Sequence, residues 1–355
     1  MIKFASLRVE TIGHLILNTI RFFSEKKYNY LIIVSNPDKI INRFVYDFLK
    51  KNYQNKKIIF LESKIISDLI EIFYKVQKRL KFLSIFYANL RWIHHDFPRI
   101  EYGSPYRFYD SFLRNKKKFI FQKKYEKIFQ HWKKANKINE KFVCIFGRDN
   151  GYYNEKYKVP RNFKFSNYKK LINKLIKLNY TVIRMSRKNN ENFYLKNKKY
   201  IDFNNIIKNE GIQNIELIEF MLFKKCEFIV GSTSGIHAYA SLFDKFFFYV
   251  NNFPVGRIPY FKNCLFINKK YKKLKKIVPY NKIDRDILLS ENYSIIKKRG
   301  YTVVDNNQNE IYNLVIKNIK KKSTININKH SFIVEGEGAL CCKRWYTKNL
   351  KLFKN

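Results

Sequence analysis

Residues 226–252 read CEFIVGSTSGIHAYASLFDKFFFYVNN. A short apolar run at residues 228–230 leads into small residues, and the apolar side chains of residues 236–243 then recur at helical spacing. After two charged residues, the run at residues 246–250 is too apolar and too aromatic for a loop. The pattern predicts a strand, a turn, a short helix and a second strand, which together form the building unit of a helix-covered parallel sheet.

The turn of this unit consists of Gly231, Ser232, Thr233, Ser234 and Gly235. Glycines let a ligand approach the backbone closely, and the free N–H groups at the start of a helix attract an anion. The hydroxyl groups add neutral donors. The turn is therefore a candidate phosphate site, and the alternative is an ordinary N-cap, because Ser and Thr cap many helices.

The same five residues nearly match the G-x-S-x-G turn on which α/β-hydrolases carry their nucleophile. Here Thr233 occupies the central position. That turn is strained, and a β-branched residue tolerates it poorly, so the sequence argues against a hydrolase.

Composition indicates a large folded protein with a strong excess of positive charge. The chain has 355 residues, of which 46% are hydrophobic, and this length is comfortable for two domains. The formal net charge is +44, which would normally suggest nucleic acid or an anionic membrane as a partner. The basic residues are mostly Lys and no nucleic-acid-reading module is recognisable, so we expect no specific nucleic-acid partner.

The cysteines and the N-terminus both indicate the location of the protein. Cys144, Cys226 and Cys264 lie in or beside apolar runs, where we expect buried thiols. The first ten residues carry charges where a signal peptide needs an apolar core, and no uncharged run is long enough to span a membrane. We therefore expect a cytoplasmic protein.

Strands and helices alternate near the N-terminus, as they do in a parallel sheet. Gly13 and His14 fall in the predicted turn between the first strand and the first helix. A long amphipathic pattern at residues 65–92 predicts a helix that covers the sheet, with contact to a membrane surface as the alternative. The predicted strands are residues 4–9, 30–34 and 58–61, and the predicted helices are residues 15–23 and 37–50.

Residues 93–119 lose this periodicity and contain many aromatic and titratable side chains, as segments that line sites often do. His94, His95 and Asp96 could suggest a metal site. However, adjacent His side chains point apart in an extended chain and no third ligand has a recognisable spacing, so we expect no metal. Residues 116–139 are basic and helix-prone, and we expect them to link two domains.

A second alternating series begins at residue 142. Arg148 follows its first predicted strand, and Arg184 ends the predicted strand at residues 181–184. Ligands of open α/β sheets lie outside the carboxyl ends of the strands, and Arg offers a planar charged fork for phosphate. Together with the turn at residues 232–235, these strand ends predict one anion site. Helices are expected at residues 166–178, with Ser166 as the cap, and at residues 216–225.

Three segments of this second series resemble a family of bacterial glycosyltransferases found in surface-polysaccharide gene clusters. They are GRDNGYYN (residues 147–154), RNFKFSNYKKLINKLIKLNYTVIRMS (residues 161–186) and residues 226–252. The N-terminal VETIGHLILNT (residues 9–19) matches the opening turn of that family. More distantly, the pattern is similar to fucosyltransferase-like enzymes of the GT-B fold, whose Arg residues contact the donor diphosphate.

The resemblance implies an α/β protein with two Rossmann-like domains facing across a cleft. Its expected reaction moves a sugar from a nucleotide-sugar donor to a glycan or lipid-linked acceptor, without a metal or other cofactor, because cationic side chains neutralise the departing diphosphate. His14 is the expected catalytic base, Asp96 is the alternative, and Gly13 lies on the acceptor side. The expected diphosphate-binding residues are Arg148, Arg184, Ser232, Thr233, Ser234 and Gly235.

The expected domains are an acceptor domain at residues 1–138, a nucleotide-sugar domain at residues 139–322, and a tail at residues 323–355 that packs back on the first domain. If the acceptor is lipid-linked, the Lys-rich, aromatic N-terminal half is expected to bind loosely to the anionic inner face of the cytoplasmic membrane. The competing class is a non-catalytic nucleotide- or nucleic-acid-binding protein. The sequence leaves the donor sugar, the acceptor and the stereochemical outcome open.

Overall fold

The structure, a computed structural model, describes residues 3–7, 9–25, 30–79, 119–149, 159–187, 191–208, 210–259, 263–327, 329–333 and 339–353. The chain divides into two compact units. The first comprises Met1–Lys127 and Gly211–Phe220, and the second comprises Ile128–Glu210 and Met221–Asn355.

The first unit contains a parallel sheet whose strands alternate with helices. Apolar side chains from both kinds of element form its core, because the helices carry one apolar face each. The strands are β1 (Lys3–Ser6), β2 (Leu31–Ser35) and β3 (Ile58–Glu62), in this spatial order, and the helices are α1 (Ile12–Glu25), α2 (Arg43–Tyr53) and α3 (Lys64–Arg79).

Helix α2 begins later than the sequence predicts. Asn36 and Pro37 start only a short 3-10 turn, Pro37–Lys39, in which the Asn36 side chain accepts a hydrogen bond from the Asp38 N–H group. The α-helix itself begins after Asn42, whose side chain accepts from the Val45 N–H group at 2.9 Å. Asn36 and Asn42 can both cap a helix. The α-helix begins after Asn42 because the segment that follows Asn42 has an apolar face to bury.

The second unit is built on an eight-stranded sheet with a smaller antiparallel sheet beside it. Its helices begin with α4, which crosses the boundary between the units. The helices are α4 (Lys123–Ala135), α5 (Lys169–Lys177), α6 (Phe203–Ile206), α7 (Ile212–Lys225), α8 (Ala238–Phe243), α9 (Arg285–Leu289), α10 (Tyr293–Lys298), α11 (Gln308–Ile316) and α12 (Lys343–Lys348). The strands are β4 (Phe142–Ile145), β5 (Thr181–Arg184), β6 (Tyr200–Asp202), β7 (Ile229–Gly231), β8 (Phe247–Asn252), β9 (Cys264–Asn268), β10 (Lys270–Lys273), β11 (Lys276–Val278), β12 (Thr302–Val304), β13 (Thr324–Ile325) and β14 (Leu340–Cys342).

The large sheet has the order β13-β14-β9-β8-β7-β4-β5-β6. All neighbours in it are parallel except β13 and β14. Strands β4, β5, β7, β8 and β9 are buried along their whole length, as expected for a parallel sheet covered on both faces. The carboxyl ends of these strands therefore meet at one edge, where ligands of such sheets bind.

The tail after residue 322 is assigned to the second unit. It contributes β14, which pairs with β9 through Leu340 opposite Leu265. Its last aromatic residue, Phe353, packs edge-on against Tyr280 with ring centroids 5.5 Å apart. Hydrogen bonding along the edge of β9 and burial of this ring explain the placement.

Residues 211–220, which include the first part of α7, belong to the first unit and make specific contacts with α2. The Glu216 carboxylate accepts a hydrogen bond from the Phe44 N–H group at 2.9 Å. The Phe220 ring meets the rings of Phe44 and Phe48 edge-on, with centroids 5.1 and 4.8 Å apart. The sequence pattern gave no indication of this exchange, because it depends on pairs more than 170 residues apart.

Several sequence-based expectations can be compared directly with this fold. Cys144, Cys226 and Cys264 are buried and form no disulfide among the described residues, in agreement with the predicted buried thiols. Ser166 does not cap α5, because a 3-10 turn, Phe165–Tyr168, precedes that helix and the Glu191 carboxylate accepts the Ser166 N–H group at 2.8 Å. Asp96, with His94, His95 and the end of the predicted 65–92 helix, lies outside the described residues. Within the described ranges, no helix combines the length and the apolar character needed to span a membrane.

Candidate anion-binding site

The predicted turn at residues 231–235 follows β7 at the carboxyl edge of the large sheet. It leads into a 3-10 turn, Gly235–His237, and then into α8, so the predicted helix is divided into two short pieces. Gly231 is required for packing, since a Cβ atom there would lie 2.2 Å from the Phe146 ring. Its role is the close approach of β7 to an aromatic ring rather than to a ligand.

The hydroxyl groups of Ser232 and Thr233 hold this turn in place. Ser232 is fully buried, and its Oγ accepts a hydrogen bond from the Arg148 N–H group at 3.1 Å. Thr233 Oγ1 donates to the Phe253 carbonyl at 3.1 Å and accepts from the Tyr249 hydroxyl at 2.7 Å. These bonds engage the Thr233 hydroxyl and the acceptor side of Ser232 Oγ within the protein, which weighs against the predicted contact of these side chains with a diphosphate.

Gly235 is the exposed member of the turn, and Thr233 and Ser234 are both half-buried. Ser234 has an extended backbone and no capping bond from its side chain. The helix behind them is only six residues long, so its dipole contributes less than the sequence predicts. Most of the attraction for an anion must therefore come from charged side chains.

Arg148 and Arg161 are brought together by the segment after β4. Arg148 Nε donates to Asn162 Oδ1 at 3.2 Å, and the Arg148 carbonyl accepts from the Phe163 N–H group at 3.0 Å. The neighbouring Arg161 places Nη1 3.4 Å from Glu291 Oε2. Its Nε is buried without a hydrogen-bond partner among the described residues. A buried guanidinium N–H without a partner is costly, so this donor is unusual in a folded protein.

Arg257 reaches the same carboxylate from the turn after β8. Its Nη1 lies 3.5 Å from Glu291 Oε1, and its carbonyl accepts from Asn252 Nδ2 at 2.9 Å. The side chains of Arg161, Arg257 and Glu291 are 28%, 35% and 41% exposed. Two guanidinium groups thus share one carboxylate at a half-exposed position, which leaves an excess of positive charge.

His237 contributes little charge to this cluster at neutral pH. Burial, and secondly the positive charge of Arg161, lower the pKa of His237 to about 4. Burial also raises the pKa of the nearby Tyr249 phenol. Both groups are therefore neutral near pH 7, and the arginines supply the cationic character of the site.

Arg184 does not belong to this cluster, which corrects its predicted role. Its side chain is buried, with Nη1 3.2 Å from Asp202 Oδ2 and Nη2 3.1 Å from the Glu191 carbonyl. The guanidinium also lies over the Phe165 ring, 4.2 Å from its centroid. These contacts hold the guanidinium group inside the protein at the end of β5, apart from the network of ion pairs around Arg161 and Arg257.

His14 and Gly13 lie in the first unit, within the first turn of α1 rather than in a loop. Gly13 is buried and His14 is half-buried. The His14 N–H group lies 3.4 Å from Thr11 Oγ1 as its acceptor. The structure thus places these two residues on one helix end, at the carboxyl side of β1.

Sequence reasoning missed Arg161, Arg257 and Glu291. Arg257 could have been found by the rule already used for Arg148, because it follows the carboxyl end of β8 by five residues. Arg161 opens one of the segments on which the family resemblance rests. Nothing local marks Glu291, which lies between α9 and α10.

Comparisons with known proteins show the fold. No protein-family model and no curated protein sequence matches the chain. A family 9 glycosyl transferase from Veillonella parvula DSM 2008 is 9% identical, with 88% of this chain and 96% of that chain covered and a TM-score of 0.53. ADP-heptose LPS heptosyltransferase II from E. coli is 8% identical over 75% of this chain and 90% of that chain, with a TM-score of 0.44. An E. coli heptosyltransferase with ADP-2-deoxy-2-fluoro heptose is 10% identical over 75% and 93%, with a TM-score of 0.38.

Of these three likenesses, the one to the Veillonella protein is strong enough to assign the fold. The chain is an α/β protein of the GT-B-like class, with a parallel sheet in each of its two units. The predicted fold class is confirmed. The more distant similarity to fucosyltransferase-like enzymes finds no support among these three structures.

Proposed function

We propose that this protein is a glycosyltransferase that moves a sugar from a nucleotide-sugar donor to a glycan or lipid-linked acceptor in surface-polysaccharide synthesis. The observation that carries the proposal is the pair Arg161 and Arg257, which converge on Glu291 at the carboxyl edge of the large sheet. Arg148 lies on the neighbouring strand end, held by Asn162 beside Arg161. The likeness to a family 9 glycosyl transferase supports the proposal at the level of the fold.

The arginines give this site a way to promote departure of a nucleoside diphosphate. Negative charge develops on the diphosphate as the bond to the sugar breaks, and fixed cationic donors stabilise that charge. Guanidinium groups bind phosphate oxygens through paired hydrogen bonds and remain charged at all physiological pH values. We therefore propose a transferase that needs no metal, with Arg148, Arg161, Arg257 and the N–H groups of Ser234 and Gly235 around the diphosphate.

We further propose His14 as the base that removes the proton from the acceptor hydroxyl, with Asp96 as the second candidate and Gly13 beside the acceptor. An imidazole titrates near neutral pH and suits this task. The position of His14 at the start of α1, following the carboxyl end of β1, supports the proposal. The residue is half-buried, so part of it remains accessible.

We also propose that a lipid-linked acceptor brings the protein to the anionic inner face of the cytoplasmic membrane. Helix α3 carries Ile65, Ile66, Leu69 and Ile72, and all four are exposed, between 36% and 73%. Their spacing of three and four residues places them on one side of the helix. An apolar stripe with Lys64 next to it is typical of a segment that rests on a lipid surface.

Calorimetric titration with UDP, GDP and ADP tests the main proposal. Arg161→Ala removes one charge-assisted contact worth about 1.5–3 kcal/mol, so we expect the binding constant for the preferred diphosphate to weaken roughly tenfold to a hundredfold. Arg299→Ala, at an exposed position of the same unit, is the charge-matched control and should bind as the parent does.

Equal binding by the parent and Arg161→Ala would show that the site is misplaced. Salt-sensitive binding to polynucleotide, together with no affinity for any of the three diphosphates, would favour the nucleic-acid-binding class instead.

A further inference from the structure

Lys269 follows the carboxyl end of β9 and is buried, although packing of an apolar core does not require a charged side chain there. Its side chain is 1% exposed. Its ammonium group donates to the Pro160 carbonyl at 2.7 Å, to the Asn162 carbonyl at 2.8 Å and to Asp305 Oδ1 at 2.7 Å. An ammonium group has three donors, and these bonds use all of them.

The two carbonyl acceptors flank Arg161 in the chain. The ammonium group therefore donates hydrogen bonds to the backbone on both sides of Arg161, whose guanidinium group pairs with Glu291. Asn162, one of these acceptors, also holds Arg148 through its side-chain oxygen. Through these hydrogen bonds, the buried ammonium group of Lys269 links the end of β9 to the backbone beside Arg161 and, through Asn162, to the side chain of Arg148.

A buried charge is a costly way to anchor a loop. Taking an ammonium group out of water is unfavourable unless its partners are well placed, and an apolar side chain of similar size is often equally stabilising. The carboxylate of Asp305 balances the charge, while the two carbonyls determine where the loop lies. Such an arrangement fixes the position of residues 160–162 in addition to any contribution to stability.

We propose that Lys269 is a positioning residue of the anion site, which fixes residues 160–162 so that Arg148 and Arg161 are held ready for the diphosphate. This inference rests on the proposed function, because it assigns a task to the same site. Lys269 itself does not touch the ligand, since its three donors are occupied within the protein.

The test is a double-mutant cycle measured by calorimetric titration with the preferred nucleoside diphosphate. Lys269→Met should weaken binding about tenfold in the parent, but only about two- to threefold in an Arg161→Ala background, because much of its effect passes through Arg161. Lys270→Met is the matched control. It removes the neighbouring lysine, whose Nζ lies 2.6 Å from Glu310 Oε1 in a mostly buried ion pair of the same unit, and it should leave binding unchanged.

Asp305→Asn serves as a second variant should Lys269→Met fail to fold, since it weakens one of the three bonds and keeps the lysine. We expect it to weaken binding about threefold in the parent and to have no effect in the Arg161→Ala background. Equal losses in the two backgrounds, or parent-like binding by Lys269→Met, would overturn the inference while the proposed function stands. Failure of the parent to bind any diphosphate would instead overturn the proposed function and the role of Lys269 with it.

Discussion

Glu291 pairs with both Arg161 and Arg257, so in the proposed site an incoming phosphate would have to compete with its carboxylate. Its two carboxylate oxygens lie 3.4 and 3.5 Å from the two guanidinium groups, which is longer than an optimal charge-assisted hydrogen bond. We predict that Glu291→Gln binds a nucleoside diphosphate more tightly than the parent, because the ligand then displaces a neutral amide instead of a carboxylate.

The size of this gain follows from the exposure of the pairs. Each of the two ion pairs is about one-third exposed, and such pairs contribute about 0.2–1 kcal/mol each. Removing both competing pairs should therefore favour the ligand by about 0.4–2 kcal/mol, which corresponds to a roughly two- to thirtyfold lower Kd. The gain should shrink as salt screens the charges.

The assay is calorimetric titration of the parent and Glu291→Gln at low and high salt. Glu227→Gln, which removes an exposed carboxylate near the opposite end of β7, controls for the change in net charge. A gain of affinity cannot result from partial unfolding, so the sign of the effect decides the matter. Weaker binding by Glu291→Gln would refute the reasoning and would show that the carboxylate contacts the ligand favourably.

Further predictions concern the proposed base, the membrane surface and the response to acid. His14→Gln should lower kcat about 10²- to 10⁴-fold in steady-state assays while diphosphate binding and the melting temperature stay unchanged; an unaffected kcat would exclude His14 as the base. Leu69→Glu should reduce flotation with anionic vesicles, whereas equal flotation of both proteins would exclude α3 as the contact. Because the pKa of His237 is about 4 when folded and near 6.5 when unfolded, the unfolded state binds more protons between these values, and stability should fall as pH decreases from about 6.5 to 4. His237→Gln should lose less melting temperature between pH 7 and pH 5 than the parent, and equal losses would assign the acid sensitivity to other groups.

The architecture was largely predictable because it depends on local patterns. Strands β4, β5 and β7 lie within a residue or two of the predicted positions, since buried apolar runs bounded by polar turns leave few alternatives. The start of α2 was misplaced because Asn36 and Asn42 offer the same capping chemistry. The pairing of β14 with β9 was missed because no local pattern connects strands that are so distant in sequence.

The candidate site was less predictable, because the role of each polar side chain depends on distant partners. Ser232 looked like a ligand donor, but its hydroxyl meets the backbone of Arg148, 84 residues away in the chain. The sequence does not distinguish the surroundings of Arg184 from those of Arg161. Only the fold shows that Arg184 is enclosed by Asp202 and Phe165. Strand ends therefore identify the edge of the sheet where a ligand would bind, but not the residues that face it.

The exchange of residues 211–220 into the first unit constrains how this chain can be synthesised and divided. Phe44 obtains the acceptor for its N–H group, and Phe48 one of its aromatic neighbours, only after Glu216 and Phe220 have left the ribosome. The first unit therefore lacks these contacts until residues 211–220 have been synthesised, which is after residues 128–210 of the second unit. A fragment that ends at residue 138 would leave aromatic surface uncovered, so an independently expressed first unit has to carry residues 211–220 as well.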